Sequence, residues 1–151
     1  MMKKFAMAAV ALAFAASAQA QMKPEEAIKT RQAGYDYMAW SMGKIKANLE
    51  GQYNKAAVIQ AANTINAIAH SGMGALYIPG SEKDVGGVKT AVKPEMFTQH
   101  EAVAQKAQAL ATEAEAMAQV ASTGDQAAVK AQFGKLGGTC KSCHDDFKMK
   151  H

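Results

Sequence analysis

The sequence predicts an all-α protein, an antiparallel up-down-up-down bundle of four helices. The chain has only three prolines among its 151 residues, and no run of alternating β-branched residues indicates a strand. Apolar residues recur at alternating steps of three and four through four segments, which is the pattern of helices packed in a bundle. Two short connections and one longer one favour antiparallel neighbours.

The first predicted helix begins at Pro24 and ends at Gly51. Proline fits the first turn of a helix, and Glu25 and Glu26 face the positive end of its dipole. The inward face is expected to carry one apolar stripe interrupted by a charge. Its members are Ile28, Arg31, Tyr35, Met38, Met42, Ile45 and Leu49.

The second helix is expected to follow Asn54, whose side chain can cap it, and to reach the segment Ile78-Pro79-Gly80. Residues 78–93 are rich in glycine and are predicted to form the long loop. The inward face of the helix is predicted from the same spacing rule. Its members are Val58, Ala62, Ile65, Ala69 and Leu76.

The third helix is predicted to begin at Pro94 and Glu95 and to stop at Gly124, after which Asp125 caps the fourth. The stripe of the third helix is Met96, His100, Val103, Ala107, Leu110, Ala114, Met117 and Ala121. The stripe of the fourth helix is Val129, Phe133, Leu136, Cys140, Cys143 and Phe147. Both cysteines are therefore expected on the buried side of their helix.

The first twenty residues are predicted to be a cleaved signal peptide. Lys3 and Lys4 precede an apolar run over residues 5–16, and Ala18-Gln19-Ala20 is a small-residue cleavage site. A retained membrane anchor is the alternative, but twelve apolar residues are too few to span a bilayer. Cleavage leaves one domain over residues 21–151, without an anchor. That domain is nearly neutral and has no basic patch that predicts nucleic-acid binding.

The segment Cys140-Lys141-Ser142-Cys143-His144 has the spacing of a c-type haem attachment site. The two thiols are expected to form thioethers with one haem c, and His144 is expected to bind its iron. A dithiol redox motif usually accompanies a βαβ pattern, which is absent from this sequence. A zinc site needs further ligands at finger-like spacing, and the other histidines do not supply them.

With this motif, the sequence resembles the cytochrome c′ family over essentially the whole mature chain. The resemblance is most specific at residues 30–35, 42–45 and 140–148, and it is close to the cytochromes c′ of purple sulfur bacteria. It implies a periplasmic, usually dimeric bundle with pentacoordinate haem iron. The implied roles are binding of nitric oxide or carbon monoxide and electron transfer with a periplasmic redox partner.

Two basic residues are candidates for contact with the haem propionates. Arg31 lies on the apolar stripe of the first helix, where a charge needs a partner, and a propionate can supply one. The alternative is that its side chain extends to water near the helix end. Lys148 matches a basic position of the family with the same role, and a solvated terminal lysine is its alternative.

The family places an apolar or aromatic side chain over the sixth coordination position of the iron, and Tyr35 matches that place. Met38 lies on the same stripe, and its ligation would produce instead a six-coordinate, low-spin electron carrier. His100 is a weaker ligand candidate. Gly137 and Gly138 either admit a close approach to the fourth helix or weaken it.

No enzymatic activity is predicted, because peroxide cleavage needs a polar acid–base group, usually histidine, where this chain offers a phenol. Tyr37 and Trp40 lie three apart on the outward side of the first helix. An exposed aromatic pair is typical of a subunit interface, although single exposed aromatics are common. The resemblance implies a dimer through this part of the bundle, and together with the pair it predicts a homodimer through the first helix.

Overall fold

The computed structural model describes residues 22–123 and 125–150. The predicted signal peptide, Gly124 and His151 lie outside the described residues. The fold is all-α, as predicted, and its elements are α1 (Pro24–Glu50), α2 (Lys55–Ala69), α3 (His100–Thr123) and α4 (Gln126–Phe147). Two short 3-10 turns, Met73–Leu76 and Pro94–Phe97, lie in the long connection between α2 and α3.

The helix ends follow the capping signals of the sequence. The side chain of Asn54 accepts a hydrogen bond from the backbone of Ala57 at 3.0 Å. Asp125 accepts two bonds, from the amides of Ala127 and Ala128 at 2.9 and 3.2 Å. Each cap pairs backbone N–H groups that have no partner inside the helix, so the predicted starts of α2 and α4 are confirmed.

The core is formed by the apolar stripes of all four helices. α2 packs against α1 and α3, and α3 packs against α4, whereas α1 and α4 contact each other much less. Alanines occupy many of the inner positions of α2 and α3, which lets these helix backbones approach closely. The buried members of the core are Met38, Ile45, Val58, Ala61, Ala62, Ile65, Ala114, Met117, Ala121, Val129 and Leu136.

The second helix is shorter than predicted. It ends at Ala69, where the hydroxyl of Ser71 donates to the carbonyl of Ile68 at 2.7 Å and Gly72 adopts a φ of +80°. This left-handed conformation favours glycine and redirects the chain. Leu76 therefore belongs to the following 3-10 turn, and its predicted place on the inward face of α2 is wrong.

The third helix begins later than predicted. Pro94 opens a 3-10 turn rather than the helix, and the amides of Thr98 and Gln99 both bond to the carbonyl of Glu95. α3 then starts at His100, which is exposed, as is Ala107. The predicted inward positions of these two residues are wrong, whereas Met96 is buried from within the 3-10 turn.

The long connection is attached to both α1 and the end of α4. On the α1 side, a Cβ at Gly34 would lie 2.9 Å from Cε of Met73, so the glycine allows the first 3-10 turn to pack closely. On the α4 side, the amide of Lys93 bonds to the carbonyl of Phe147 at 2.9 Å. The connection therefore holds the start of α1 and the end of α4 at the same end of the bundle, as the antiparallel topology predicts.

Candidate functional site

The last turns of α4 carry the cysteines at the end of the bundle where the connection is attached. Cys140 and Cys143 are half-buried free thiols. Burial raises the pKa of both thiols, so they are protonated at neutral pH. Burial is the main cause of the raised pKa of the Tyr35 and Tyr77 phenols, and both lie near enough to Cys143 for an ionised thiol there to raise it further.

Two lysines hold the segment that carries the cysteines. Lys106 of α3 donates to the hydroxyl of Ser142 at 2.5 Å and pairs with the carboxylate of Asp146 at 2.8 Å. The ammonium of Lys93 donates to the carbonyls of Asp145 and Asp146 at 3.1 and 2.8 Å, where α4 has unpaired acceptors. These contacts come from two other parts of the chain and restrict the position of the last turns of α4.

His144 follows the second cysteine and is exposed near the end of α4. Partial burial lowers the pKa of the imidazole, and the positive charge of Lys148 lowers it further. The carboxylate of Asp145 acts in the opposite direction and raises this pKa. The lowered pKa favours the neutral ring, which is the form that binds a metal.

Arg31 is the most constrained polar residue of the site, with 3% of its side chain exposed. Its guanidinium donates to the carbonyl of Leu76 at 3.2 Å and to Oγ and the carbonyl oxygen of Ser81 at 2.7 and 2.5 Å. A fourth bond reaches Oγ1 of Thr90 at 3.0 Å. The predicted alternative of a water-exposed Arg31 is wrong. The sequence interpretation also missed these partners, because they lie 45 to 59 residues away along the chain.

The positive charge of Arg31 is held among neutral oxygens. Within residues 22–123 and 125–150, the ion pairs closer than 4.0 Å are Lys46–Glu50, Lys106–Asp146 and Lys141–Asp145. No carboxylate of the described chain therefore neutralises this guanidinium, which cannot lose its proton in a protein. The arrangement leaves a fixed positive charge at this end of the bundle, suited to an anionic group.

An aromatic cluster lies beside this charge. The hydroxyl of Tyr77 donates to the hydroxyl of Tyr35 at 3.3 Å, and the Tyr77 ring packs edge-on against Phe97 with centroids 5.8 Å apart. The guanidinium of Arg31 stands 4.8 Å from the Tyr77 centroid. Tyr77 was missed from the sequence, because nothing in its local pattern distinguishes it from other residues of the loop.

The remaining candidates lie in different environments. Met38 is only 5% exposed and packs within the main core. Lys148 is exposed just after α4, where its backbone bridges to Val92. A Cβ at Gly137 would meet only Met42, at 4.0 Å, and one at Gly138 would meet nothing within that distance, so neither is required for packing within the described chain.

These residues fit a covalently attached haem. The site offers two free thiols three residues apart, an adjacent imidazole, facing aromatic rings and a fixed positive charge for an acidic substituent. α1 and α4 contact each other little, and a flat macrocycle attached to α4 requires space between these two helices. No group of three or more His, Cys, Asp or Glu in the described part of the chain could hold a bare metal ion, whereas a haem brings its own four nitrogen ligands.

A family model described as cytochrome c′ matches residues 26–148. The chain belongs to the cytochrome c′ family. Members of this family are haem proteins, and the cofactor is haem c, as the cysteine motif predicts. The resemblance stated from the sequence is thus confirmed over nearly the whole described chain.

Two relatives show how close the match is. The cytochrome c′ of Allochromatium vinosum, a purple sulfur bacterium, is 56% identical over 142 residues, covering 93% of this chain and 92% of the relative. The cytochrome c′ of Rhodocyclus tenuis is 54% identical over 129 residues, covering 85% of this chain and 97% of the relative.

Solved structures of the cytochrome c′ family have the same fold. One is a cytochrome c′ described as having an unusual ligand-controlled dimer dissociation; it is 57% identical with a TM-score of 0.86, covering 87% of this chain and 100% of that one. The cytochrome c′ of Thermochromatium tepidum is 55% identical with a TM-score of 0.83, covering 85% of this chain and 98% of that one. The predicted four-helix bundle is confirmed.

Replacing Arg31 with methionine should destabilise the haem-loaded protein strongly. The change removes four hydrogen bonds and leaves the buried hydroxyls of Ser81 and Thr90 with fewer partners. We expect a loss of about 3 kcal/mol in the free energy of unfolding, measured by urea denaturation with circular dichroism. Gln32→Met is the matched control, because Gln32 also bonds to the connection, through Lys89, but is exposed. Equal losses for the two variants would contradict the role of Arg31.

Proposed function

We propose that this chain is a periplasmic cytochrome c′ whose haem iron has no sixth protein ligand and binds diatomic gases such as nitric oxide and carbon monoxide. The observation that carries the proposal is the hydrogen-bonded pair of phenols, Tyr35 and Tyr77, near Cys143, with Met38 packed in the core. Electron transfer to a periplasmic redox partner is compatible with the same site.

We propose that Cys140 and Cys143 hold the haem through thioethers and that His144 binds its iron. When bound, the haem supplies an iron centre that changes oxidation state and accepts a small axial ligand. The contacts of Lys93 and Lys106 support this assignment, because they restrict the turn of helix on which all three residues lie.

Tyr35 is proposed to cover the sixth position without binding the metal. Burial is the largest influence on its hydroxyl and raises the pKa, so the phenol keeps its proton at neutral pH. Iron is bound by tyrosine mainly as the deprotonated phenolate, as in catalase-type ligation. A protonated Tyr35 therefore blocks access to the iron, and an entering gas must displace it.

Ligation by Met38, the alternative that would make a low-spin electron carrier, is not favoured. Its side chain is 5% exposed and packs with the core residues of the other helices. Moving it toward the haem would leave a cavity in that core, which is costly. His100 is exposed at the first residue of α3, and no contact of the described chain directs it to the cysteine segment.

Arg31 and Lys148 are proposed to face the haem propionates. The four bonds that Arg31 makes to the connection use most of its five N–H donors. Its contribution to a propionate is therefore mainly its fixed charge, with at most one remaining direct bond. Lys148 is exposed, and its contribution is expected to be smaller because water screens it.

We propose that the protein has no peroxidase-like catalytic role. The side chains that α1 and the connection bring together beside Arg31 are the phenols of Tyr35 and Tyr77 and the ring of Phe97, and the Arg31 guanidinium keeps its proton. Neither phenol can exchange a proton readily near neutral pH, because burial raises the pKa of both. Efficient peroxide cleavage needs a group that does so.

Helix α1 is proposed to form a homodimer interface. Tyr37 and Trp40 are 52% and 54% exposed and pack against each other with centroids 5.1 Å apart. The ammonium of Lys44 stands 4.6 Å from the Trp40 centroid. Tryptophan and tyrosine are enriched among the residues that contribute most to protein interfaces. The family includes a member with ligand-controlled dimer dissociation, which supports the proposal.

Periplasmic location and the domain over residues 21–151 are also proposed. They rest on the predicted signal peptide, which lies outside the described residues, and on covalent haem attachment, which in bacteria takes place outside the cytoplasm. None of the described helices is both long and apolar enough to cross a membrane.

The absorption spectrum of the reduced protein tests the proposed function. We expect a high-spin spectrum that changes sharply when carbon monoxide is added, because the sixth position is free of a protein ligand. Met38→Ala should leave the spectrum of the folded protein unchanged, since Met38 belongs to the core. A low-spin spectrum indifferent to the gas would contradict the proposal, and loss of that spectrum in Met38→Ala would identify methionine as the ligand.

Replacing Tyr35 with alanine should speed carbon monoxide binding by at least about tenfold, which corresponds to about 1.4 kcal/mol of barrier. The reason is that no phenol then has to be displaced before the gas reaches the iron. Tyr37→Ala is the control, because Tyr37 lies two residues away on the exposed side of α1. Flash photolysis of the carbon monoxide complex measures both rates, and equal rates would exclude gating by Tyr35.

Replacing Trp40 with alanine should weaken the dimer. Truncating a central aromatic typically costs about 2 kcal/mol, or roughly thirtyfold in the dissociation constant. Analytical ultracentrifugation measures the constant. Met149→Ala is the control, since Met149 is also exposed, at 40%, but follows α4. An unchanged dissociation constant in Trp40→Ala would mean that the interface lies outside this part of α1.

A further inference from the structure

We propose that Tyr77 is a positioning residue that holds Tyr35 in place through the hydrogen bond between their hydroxyls, and so helps to set the rate at which a diatomic ligand displaces Tyr35. The inference deepens the proposed gas-binding function and rests on it. It assigns a second residue, from the α2–α3 connection, to the side of the haem that Tyr35 covers.

The two phenols come from separate parts of the fold. Tyr35 belongs to α1, and Tyr77 directly follows the 3-10 turn Met73–Leu76, 42 residues further along the chain. The hydroxyl of Tyr77 donates to that of Tyr35 at 3.3 Å. This is the one hydrogen bond that the Tyr35 hydroxyl makes within the described chain.

Tyr77 is the better anchored partner. Phe97 packs edge-on against its ring, and the guanidinium of Arg31 stands 4.8 Å from the ring centroid. Arg31 is itself fixed by four hydrogen bonds to Leu76, Ser81 and Thr90. Displacing Tyr77 would therefore disturb a buried network, because its ring packs against the residue that organises the connection.

Tyr35 is the partner that can move. Apart from the bond to Tyr77, no hydrogen bond within the described residues holds its hydroxyl. A side chain on the surface of a helix can change rotamer at little cost when its neighbours allow it. The hydrogen bond to Tyr77 must break when Tyr35 swings away.

Both hydroxyls keep their protons under ordinary conditions. Burial raises the pKa of Tyr35 and raises that of Tyr77 strongly, so the donor that the bond needs is present throughout the neutral range. The restraint on Tyr35 is therefore expected to be independent of pH near neutrality.

The test is a double-mutant cycle in the haem-loaded protein, with Tyr77→Phe, Tyr35→Phe and both together. Each change removes one hydroxyl and keeps the ring. Breaking a neutral hydrogen bond should raise the carbon monoxide association rate of the ferrous protein by about threefold to tenfold. Since either change breaks the same bond, the double variant should bind no faster than the faster single variant.

A second measurement reads the bond directly, without gas. The ultraviolet resonance Raman doublet of tyrosine distinguishes hydrogen-bonded from free phenols. In the ligand-free ferrous protein, Tyr77→Phe should move one tyrosine contribution from the bonded to the free form. A purely structural effect of the substitution would change unfolding without this signature.

Tyr53→Phe is the matched control. Its hydroxyl is also buried, yet has no hydrogen-bond partner within the described chain, and the residue precedes α2 at the opposite end of the bundle. Removing it should leave both the gas-binding rate and the Raman doublet of the other tyrosines unchanged.

The outcomes separate the inference from the function on which it rests. If the parent protein binds no carbon monoxide, the proposed function fails and the inference fails with it. If the parent binds the gas but Tyr77→Phe binds at the parental rate, only the inference is overturned. Independent, multiplying effects in the double variant would also overturn it. If Tyr77→Phe does not fold, a parental rate in Tyr35→Phe overturns the inference in the same way.

Discussion

The functional end of the bundle depends on the hydrogen bonds of the buried Arg31 guanidinium. A charge with 3% exposure is tolerated only when its donors are bonded, and four bonds to Leu76, Ser81 and Thr90 satisfy that requirement. Because all three partners lie in the α2–α3 connection, the same bonds fix a long segment that has little regular structure. The charge itself remains available to an anionic group.

The organised connection brings together residues that no single helix could supply. Tyr77 and Phe97 reach the site from the connection, Tyr35 from α1 and the cysteines from α4. Lys93 extends the connection to the carbonyls at the end of α4. α1 and α4 contact each other little, but both contact the connection. These contacts hold the two helices together at the haem end.

The chemistry of the site follows from which side chains are buried and where. Met38 is enclosed in the core, and we propose that the side chain covering the iron is therefore the protonated phenol of Tyr35 rather than a thioether. A phenol that covers but does not bind the metal suits a protein that admits small ligands. In the proposed arrangement, the hydrogen bond between Tyr77 and Tyr35 restrains that cover.

The sequence alone determined the features that depend on near neighbours. The start of α1 at Pro24, the caps at Asn54 and Asp125, and the haem motif at the end of α4 each require residues only a few positions apart. The tertiary structure decided where α2 ends and where α3 begins. It also decided which groups Arg31 bonds to and that Tyr77 lies beside Tyr35. The contacts of Arg31 and Tyr77 join residues 42 to 59 positions apart, and the spacing of apolar residues carries no information about such pairs.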